Sequence, residues 1–194
     1  RSAFRRPPTK GELKPIRALV AAKLNAGLKP LEALQLGLQT ILCAPGFLYQ
    51  HEGEGKLNGY ALASRLSYFL WSSMPDEELL KLAAAGTLNE PATRRKQVER
   101  MLADPKGQRF VSNFTRIWLE LDNIGKMPSS KDFLTYYRDN LESAMRKETE
   151  HFFGHILKEN LPLREFLAAD YSFINRELAE PYGMPGLKGN HFRK

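Results

Sequence analysis

Apolar residues recur every three to four positions in one segment after another of this chain, and most of these segments close at a proline or a glycine. That spacing follows the 3.6-residue helical turn, whereas a half-buried strand alternates residue by residue. No convincing alternating run occurs, and no Asn-Gly turn lies between two such runs. The pattern predicts an all-α fold, an irregular bundle of about eight or nine helices with one long helix near the C-terminal third. At 42% hydrophobic and 10% aromatic, the chain has enough apolar material for a packed core.

The punctuation places the helices. Thr9 can cap a first helix through "KGELKPIRALVAAKLNAG", with Pro15 tolerable near its start. Gly27 ends it, Lys29-Pro30 opens a second, "PLEALQLGLQTILCA", and Pro45 stops that one. After the polar loop "YQHEGEGKLNG" comes a third helix, about Tyr60 to Trp71, in which Leu62, Leu66, Phe69 and Leu70 share a face. "SSMPDEELL" reads as a stop and restart: Met74 precedes a proline, and Asp76, Glu77 and Glu78 favour the positive end of a fourth helix, Pro75 to Ala85. Arg65 is expected to reach that acidic corner or solvent. A fifth helix follows at "PATRRKQVERMLAD" and a sixth at "GQRFVSNFTRIWLEL", with Phe110, Phe114, Ile117, Trp118 and Leu121 at core spacing. The long helix runs from about Phe133 to Glu159, and short ones follow at "LREFLAA" and "INRELAEPYG". The ending "YGMPGLKGNHFRK" reads as an ordered tail.

Several function classes drop out. No apolar run reaches the roughly 18 to 20 residues of a membrane span; the nearest, "LQLGLQTILCAPGFLY", is broken by glutamine, glycine and proline. Cys43 is the only cysteine, which rules out an internal disulfide, an all-cysteine metal site and a Cys-x-x-Cys-His haem attachment. Within "TILCAP" it is expected to be a small buried hydrophobe. No nucleophile elbow, phosphate loop or dinucleotide fingerprint occurs.

The net charge of +7 is concentrated at one end. Residues 1 to 29 hold Arg1, Arg5, Arg6, Lys10, Lys14, Arg17, Lys23 and Lys29 against the single acid Glu12, and the remaining chain is balanced. A basic leading segment on a neutral body points away from nucleic acid. It points toward an acidic neighbouring domain, with Arg5, Arg6, Lys10, Lys14 and Arg17 as the docking face. The abrupt first and last residues suggest a piece of a longer polypeptide.

The most informative polar residue is Glu148. Leu134, Tyr137, Leu141, Met145, Phe152 and Ile156 form an apolar stripe on the long helix, and Glu148 falls within it. An unpaired carboxylate there would be costly, so a partner is expected. One reading pairs it with Arg65 or Arg116. The other uses Glu148, His151 and His155, on neighbouring turns, as metal ligands; Glu-x-x-His is also the di-iron spacing of ferritin-like bundles, although no second copy occurs. His51, Glu52 and Glu54 form a smaller loop cluster that reads as solvated.

The stretches "ILCAPGFLYQHE", "LASRLSYFLWSSMPDEELLKLAAAGTL" and "DYSFINRELAEPYGMPGLKGNHFRK" carry a family resemblance, reinforced by "RRKQVERMLADPKGQRFVSNFTRIWLEL" and "MRKETEHFF". Over about residues 40 to 194 the chain resembles the domain of unknown function that planctomycetes and related bacteria carry in large proteins associated with c-type cytochrome domains. "AFRRPPT" resembles the end of the small domain that usually precedes it. The resemblance implies export to the periplasm or beyond, a c-type haem elsewhere in the polypeptide and none bound by this piece, and no established catalytic residues. Residues 1–29 then form a basic entry segment, the end of a preceding domain plus the first helix, and 30–194 form the all-α cytochrome-associated domain. The expected role is a non-enzymatic scaffold or docking domain that contacts neighbouring domains of its own polypeptide. A metal-binding, proton-relay or electron-transfer module is the rival.

Overall fold

The computed structural model describes residues 3–49, 55–126, 141–184 and 186–194. The fold is all-α, and among the described residues the only β pairing is an isolated antiparallel bridge between Ile174 and Arg193. The chain forms two compact units, residues 1–101 and 102–194. No helix among the described residues is long and apolar enough to cross a membrane.

The first unit opens with a helical hairpin, α1 (Lys10–Asn25) and α2 (Pro30–Leu42). Thr9 and Glu12 form a reciprocal capping box: the Thr9 hydroxyl accepts from the Glu12 amide at 3.2 Å, and the Glu12 carboxylate accepts from the Thr9 amide at 2.7 Å. Pro15 lies inside α1. Gly27 takes the left-handed conformation, φ 88°, in the turn between the helices. The helices pack so closely that a Cβ on Gly37 would stand 2.9 Å from a Val20 methyl carbon. A single turn, α3 (Pro45–Leu48), follows.

Helix α4 (Gly59–Trp71), capped by Asn58, packs on α5 (Glu77–Ala85). Its buried face matches the expected leucine-phenylalanine face only in part: Leu70 is buried, Leu62 and Leu66 are half-buried, and Phe69 faces outward. Gly59, Ala63, Ser64, Ser67, Leu70 and Trp71 are buried, while Phe69 is 60% exposed. Small side chains bring the two backbones together, and that close approach outweighs the larger apolar area of Leu62, Leu66 and Phe69. Ser72 ends α4 in the left-handed conformation, φ 50°.

Asp76 then caps α5 by accepting from the Leu79 amide. The cation at this corner is Arg100, from α6 (Pro91–Ala103), which meets Asp76 at 2.8 Å and Gln97 at 2.8 Å and stacks over Trp71. The Trp71 indole in turn donates to the Met101 carbonyl at 2.8 Å. Arg65, expected to reach that corner or solvent, lies on the exposed side of α4.

The second unit contains α7 (Gln108–Trp118), α8 (Leu141–Lys158) and two short turns, α9 (Glu165–Ala168) and α10 (Arg176–Ala179). Phe110, Phe114, Phe153 and Phe166 form a run of contacting rings, with centroid separations of 5.3 to 6.1 Å from one to the next. Val111 and Thr115 on α7 and Leu121 just after it are buried, but Ile117 and Trp118 are largely exposed. The helix ends at Trp118, and Glu120 turns left-handed at φ 51°, so the helical spacing does not carry through to Leu121.

The expected early part of the long helix, with Leu134 and Tyr137, lies outside the described residues. Within α8 the buried row is Leu141, Ala144, Phe153 and Ile156, and Met145 is exposed. Leu141, Ala144 and Leu178 form a core cluster that Ile174 and Phe192 pack against. The tail is thus part of the fold.

Candidate functional site

The basic segment divides into inward and outward members. Arg5 adopts a left-handed backbone, φ 55°, and turns its guanidinium onto the carbonyls of Gly46, Phe47 and Tyr49 at 3.1 to 3.2 Å. Its carbon lies 5.8 Å from the Tyr68 ring centroid, and neighbouring Phe4 is buried. Arg6 grips Glu12 through two hydrogen bonds of 2.7 and 2.9 Å. That pairing, then the Thr9 amide, pulls the Glu12 carboxyl down to about 2. Arg5 and Arg6 therefore fasten the chain's own start. Lys10, Lys14 and Arg17 stand exposed along α1.

On the neighbouring helix, Leu31, Leu34, Leu38 and Leu42 are 67%, 58%, 52% and 51% exposed. Their spacing of three and four residues sets them in one row along α2, opposite the buried Ala33 and Gly37. Leu48, the last residue of α3, and Tyr49 after it are exposed as well. The spacing was visible in the sequence, but nothing in the sequence distinguishes a covered row from a bare one. Cys43, at the C-cap of α2, is exposed and not buried as expected, because the helix ends there with its last turn facing water.

In the second unit Glu148 is half-buried on α8. Ser172 donates to one carboxylate oxygen at 2.5 Å and Tyr182 to the other at 2.7 Å. Partial desolvation of the Tyr182 phenol, followed by its bond to Glu148, pushes its pKa up to about 12. Arg116, one of the expected partners, is instead engaged with Asp122 at 2.6 Å, because the short turn after α7 brings that carboxylate back to it. Arg65 belongs to the first unit. Neither hydroxyl partner was singled out from the sequence; both lie in "DYSFINRELAEPYG", where no periodicity marks them.

The two histidines point to aromatic neighbours. His151 packs against Phe192 with ring centroids 4.6 Å apart. His155 lies against Tyr171 and Phe173, with Lys194 3.2 Å from its Nε2 atom. Among the described residues no group of three His, Cys, Asp or Glu side chains stands in a metal-holding arrangement. The cluster of His51, Glu52 and Glu54 lies outside the described residues.

Beside Glu148 opens a cleft of about 310 Å³ lined by Thr149, Phe152, Glu165, Phe166, Tyr171 and Ser172, among others. The Tyr171 hydroxyl is closed off from solvent near the Glu165 carboxylate. Its enclosure, and next the charge of Glu165, raise its pKa above the ordinary phenol value.

A family model described as PSD4, protein of unknown function (DUF1592), matches residues 57–184. The chain belongs to the DUF1592 family. A second model, PSD5, protein of unknown function (DUF1595), matches residues 1–52. No curated protein and no solved structure is detectably similar to the chain. The DUF1592 match covers the Asp76–Arg100 corner and the Glu148 cleft, whereas the α1–α2 hairpin with its leucine row falls in the DUF1595 match.

Proposed function

We propose that this DUF1592-family chain is a non-enzymatic scaffold or docking domain of a larger, exported, haem-linked polypeptide, and that an acidic neighbouring domain of that polypeptide covers the α1–α2 hairpin. The haem-linked and exported setting rests on the family resemblance. The docking role rests on one observation, the bare row of Leu31, Leu34, Leu38 and Leu42. Solvent-facing helices ordinarily keep such a row against a core. Covering what is exposed of the four leucines would contribute about 1 kcal/mol each.

Charge names the occupant. Lys10, Lys14, Arg17 and Lys23 are exposed on α1, so a second copy of the same basic hairpin would be repelled, whereas an acidic domain would be attracted. The test is the double substitution Leu34→Glu with Leu38→Glu, made both in this chain and in the full polypeptide. Because both side chains are exposed, the isolated chain should melt within a degree or two of the wild type. The full polypeptide should lose several degrees. An equal, small effect in both would remove the docking role.

A further inference from the structure

We infer that the cleft beside Glu148 binds a primary alkylammonium group, as carried by a lysine side chain or a small free amine. This is independent of the docking role, since it concerns the other unit. Three observations lead to it.

The first is an uncompensated charge. Both oxygens of Glu148 accept hydrogen bonds from neutral hydroxyls, those of Ser172 and Tyr182, and among the described residues no cationic side chain lies within ion-pair distance of it. Each oxygen keeps a second lone pair for another donor. A half-buried carboxylate fixed by two hydroxyls is preorganised to receive a cation, because little side-chain freedom remains to be lost. The second carboxylate of the cleft, Glu165, is mostly buried beside Tyr171 and pairs loosely with exposed Arg164, at 3.9 Å.

The second observation is the wall. Phe152 stands with its ring centroid 5.7 Å from Tyr171 and 6.3 Å from Phe166, so aromatic surface runs along the cleft. Ring faces attract ammonium groups and their alkyl stems. Tyr171 already shows this preference: the Lys194 ammonium lies 3.8 Å from its ring centroid.

The third is size and selectivity. A volume of about 310 Å³ sits at the small end of ligand pockets. A four-carbon chain ending in an ammonium fits it, with Leu167 and Ala169 beside the stem. Two carboxylates disfavour anions. A hard divalent ion prefers six or more oxygens, and no metal-holding group of three acids or imidazoles occurs among the described residues. The mixture of carboxylate and aromatic surface suits an organic cation better.

The experiment titrates the 194-residue chain with n-butylammonium chloride at constant ionic strength, following backbone amide chemical shifts at Thr149, Leu167 and Ser172. Saturable shifts at these residues are expected, with a dissociation constant on the order of 1 mM. n-Butanol and sodium butyrate should give none. A capped Gly-Lys-Gly peptide forms the second arm: saturation by the peptide as well assigns the site to lysine side chains, and saturation by the amine alone assigns it to free amines.

Glu148→Gln should weaken n-butylammonium binding at least tenfold. Leu167→Lys, at an exposed rim position where folding is insensitive, should weaken it too by placing a tethered ammonium at the mouth. Absence of saturation by about 50 mM amine, equal binding of n-butanol, unaltered affinity in Leu167→Lys, or the same shifts from calcium chloride would overturn the assignment.

Discussion

Gly59 and Gly154 are both helical glycines, yet alanine at these two positions should move stability in opposite directions. Gly59 is buried at the first position of α4, and a Cβ there would stand 2.7 Å from the Ala83 carbonyl oxygen and 3.0 Å from the Ala83 Cα. Those atoms are backbone, held where α5 ends at left-handed Gly86, and cannot swing aside like a flexible side chain. Forcing α4 from α5 costs about 1–3 kcal/mol. Alanine's better helix propensity returns at most about 1 kcal/mol. The expected net loss is therefore about 1–2 kcal/mol.

A Cβ on Gly154 would meet only Val111 methyl carbons, at 3.6 and 3.9 Å, which is ordinary contact. Gly154→Ala, inside α8, should stabilise by about 0.5–1 kcal/mol. For Gly59→Ala, urea unfolding followed by Trp71 fluorescence in a Trp118→Phe background should show a midpoint lower by about 0.5–1 M. For Gly154→Ala, circular dichroism should show a higher midpoint. If Gly59→Ala equals or exceeds the parent in stability, small residues on α4 do not mark a close backbone contact.

Other perturbations follow from the same geometry. Arg100→Met should lower stability by about 1–3 kcal/mol in urea unfolding, because it strips Asp76 of a charge-assisted bond and uncovers Trp71; a change below 0.5 kcal/mol would contradict that role. Glu12 has its folded pKa depressed to about 2 from an ordinary 4.5, so its contribution is present above about pH 4.5 and is lost as pH falls through about 2. Glu12→Gln should thus cost about 1 kcal/mol at pH 6, after allowance for solvent screening, and almost nothing below pH 2; equal deficits at both pH values would count against the capping pair. Cys43 should react stoichiometrically with an aromatic disulfide reagent in the native protein, and protection until unfolding would show that the end of α2 is covered.

Much of the fold was legible because helical period and chain punctuation act locally. Thr9, Pro30 and Asp76 each mark a helix start through bonds to, or the missing amide of, the nearest turn. Which face of a helix is buried depends on its neighbour, and here hydropathy misled. Gly59, Ala63 and Ser67 bury ahead of Phe69 because they admit a second backbone, a property invisible to a scale that ranks area. Glu148 was noticed as a carboxylate within an apolar stripe, and it is indeed half-buried. Its partners Ser172 and Tyr182 come from 24 and 34 residues away, brought in by the folded tail, and no local spacing encodes them. Arg5 and Arg6 were read as outward charges; the carbonyls of the turn around α3 and the carboxylate of Glu12 draw them inward instead.

The docking role is tested most directly by side-chain footprinting with hydroxyl radicals on the full polypeptide beside the 194-residue chain. Leu31, Leu34, Leu38 and Leu42 should be oxidised readily in the chain and protected severalfold in the polypeptide, while exposed Leu163 reacts alike in both. Equal oxidation of the four leucines in both would mean that nothing in the proposed larger polypeptide covers α2.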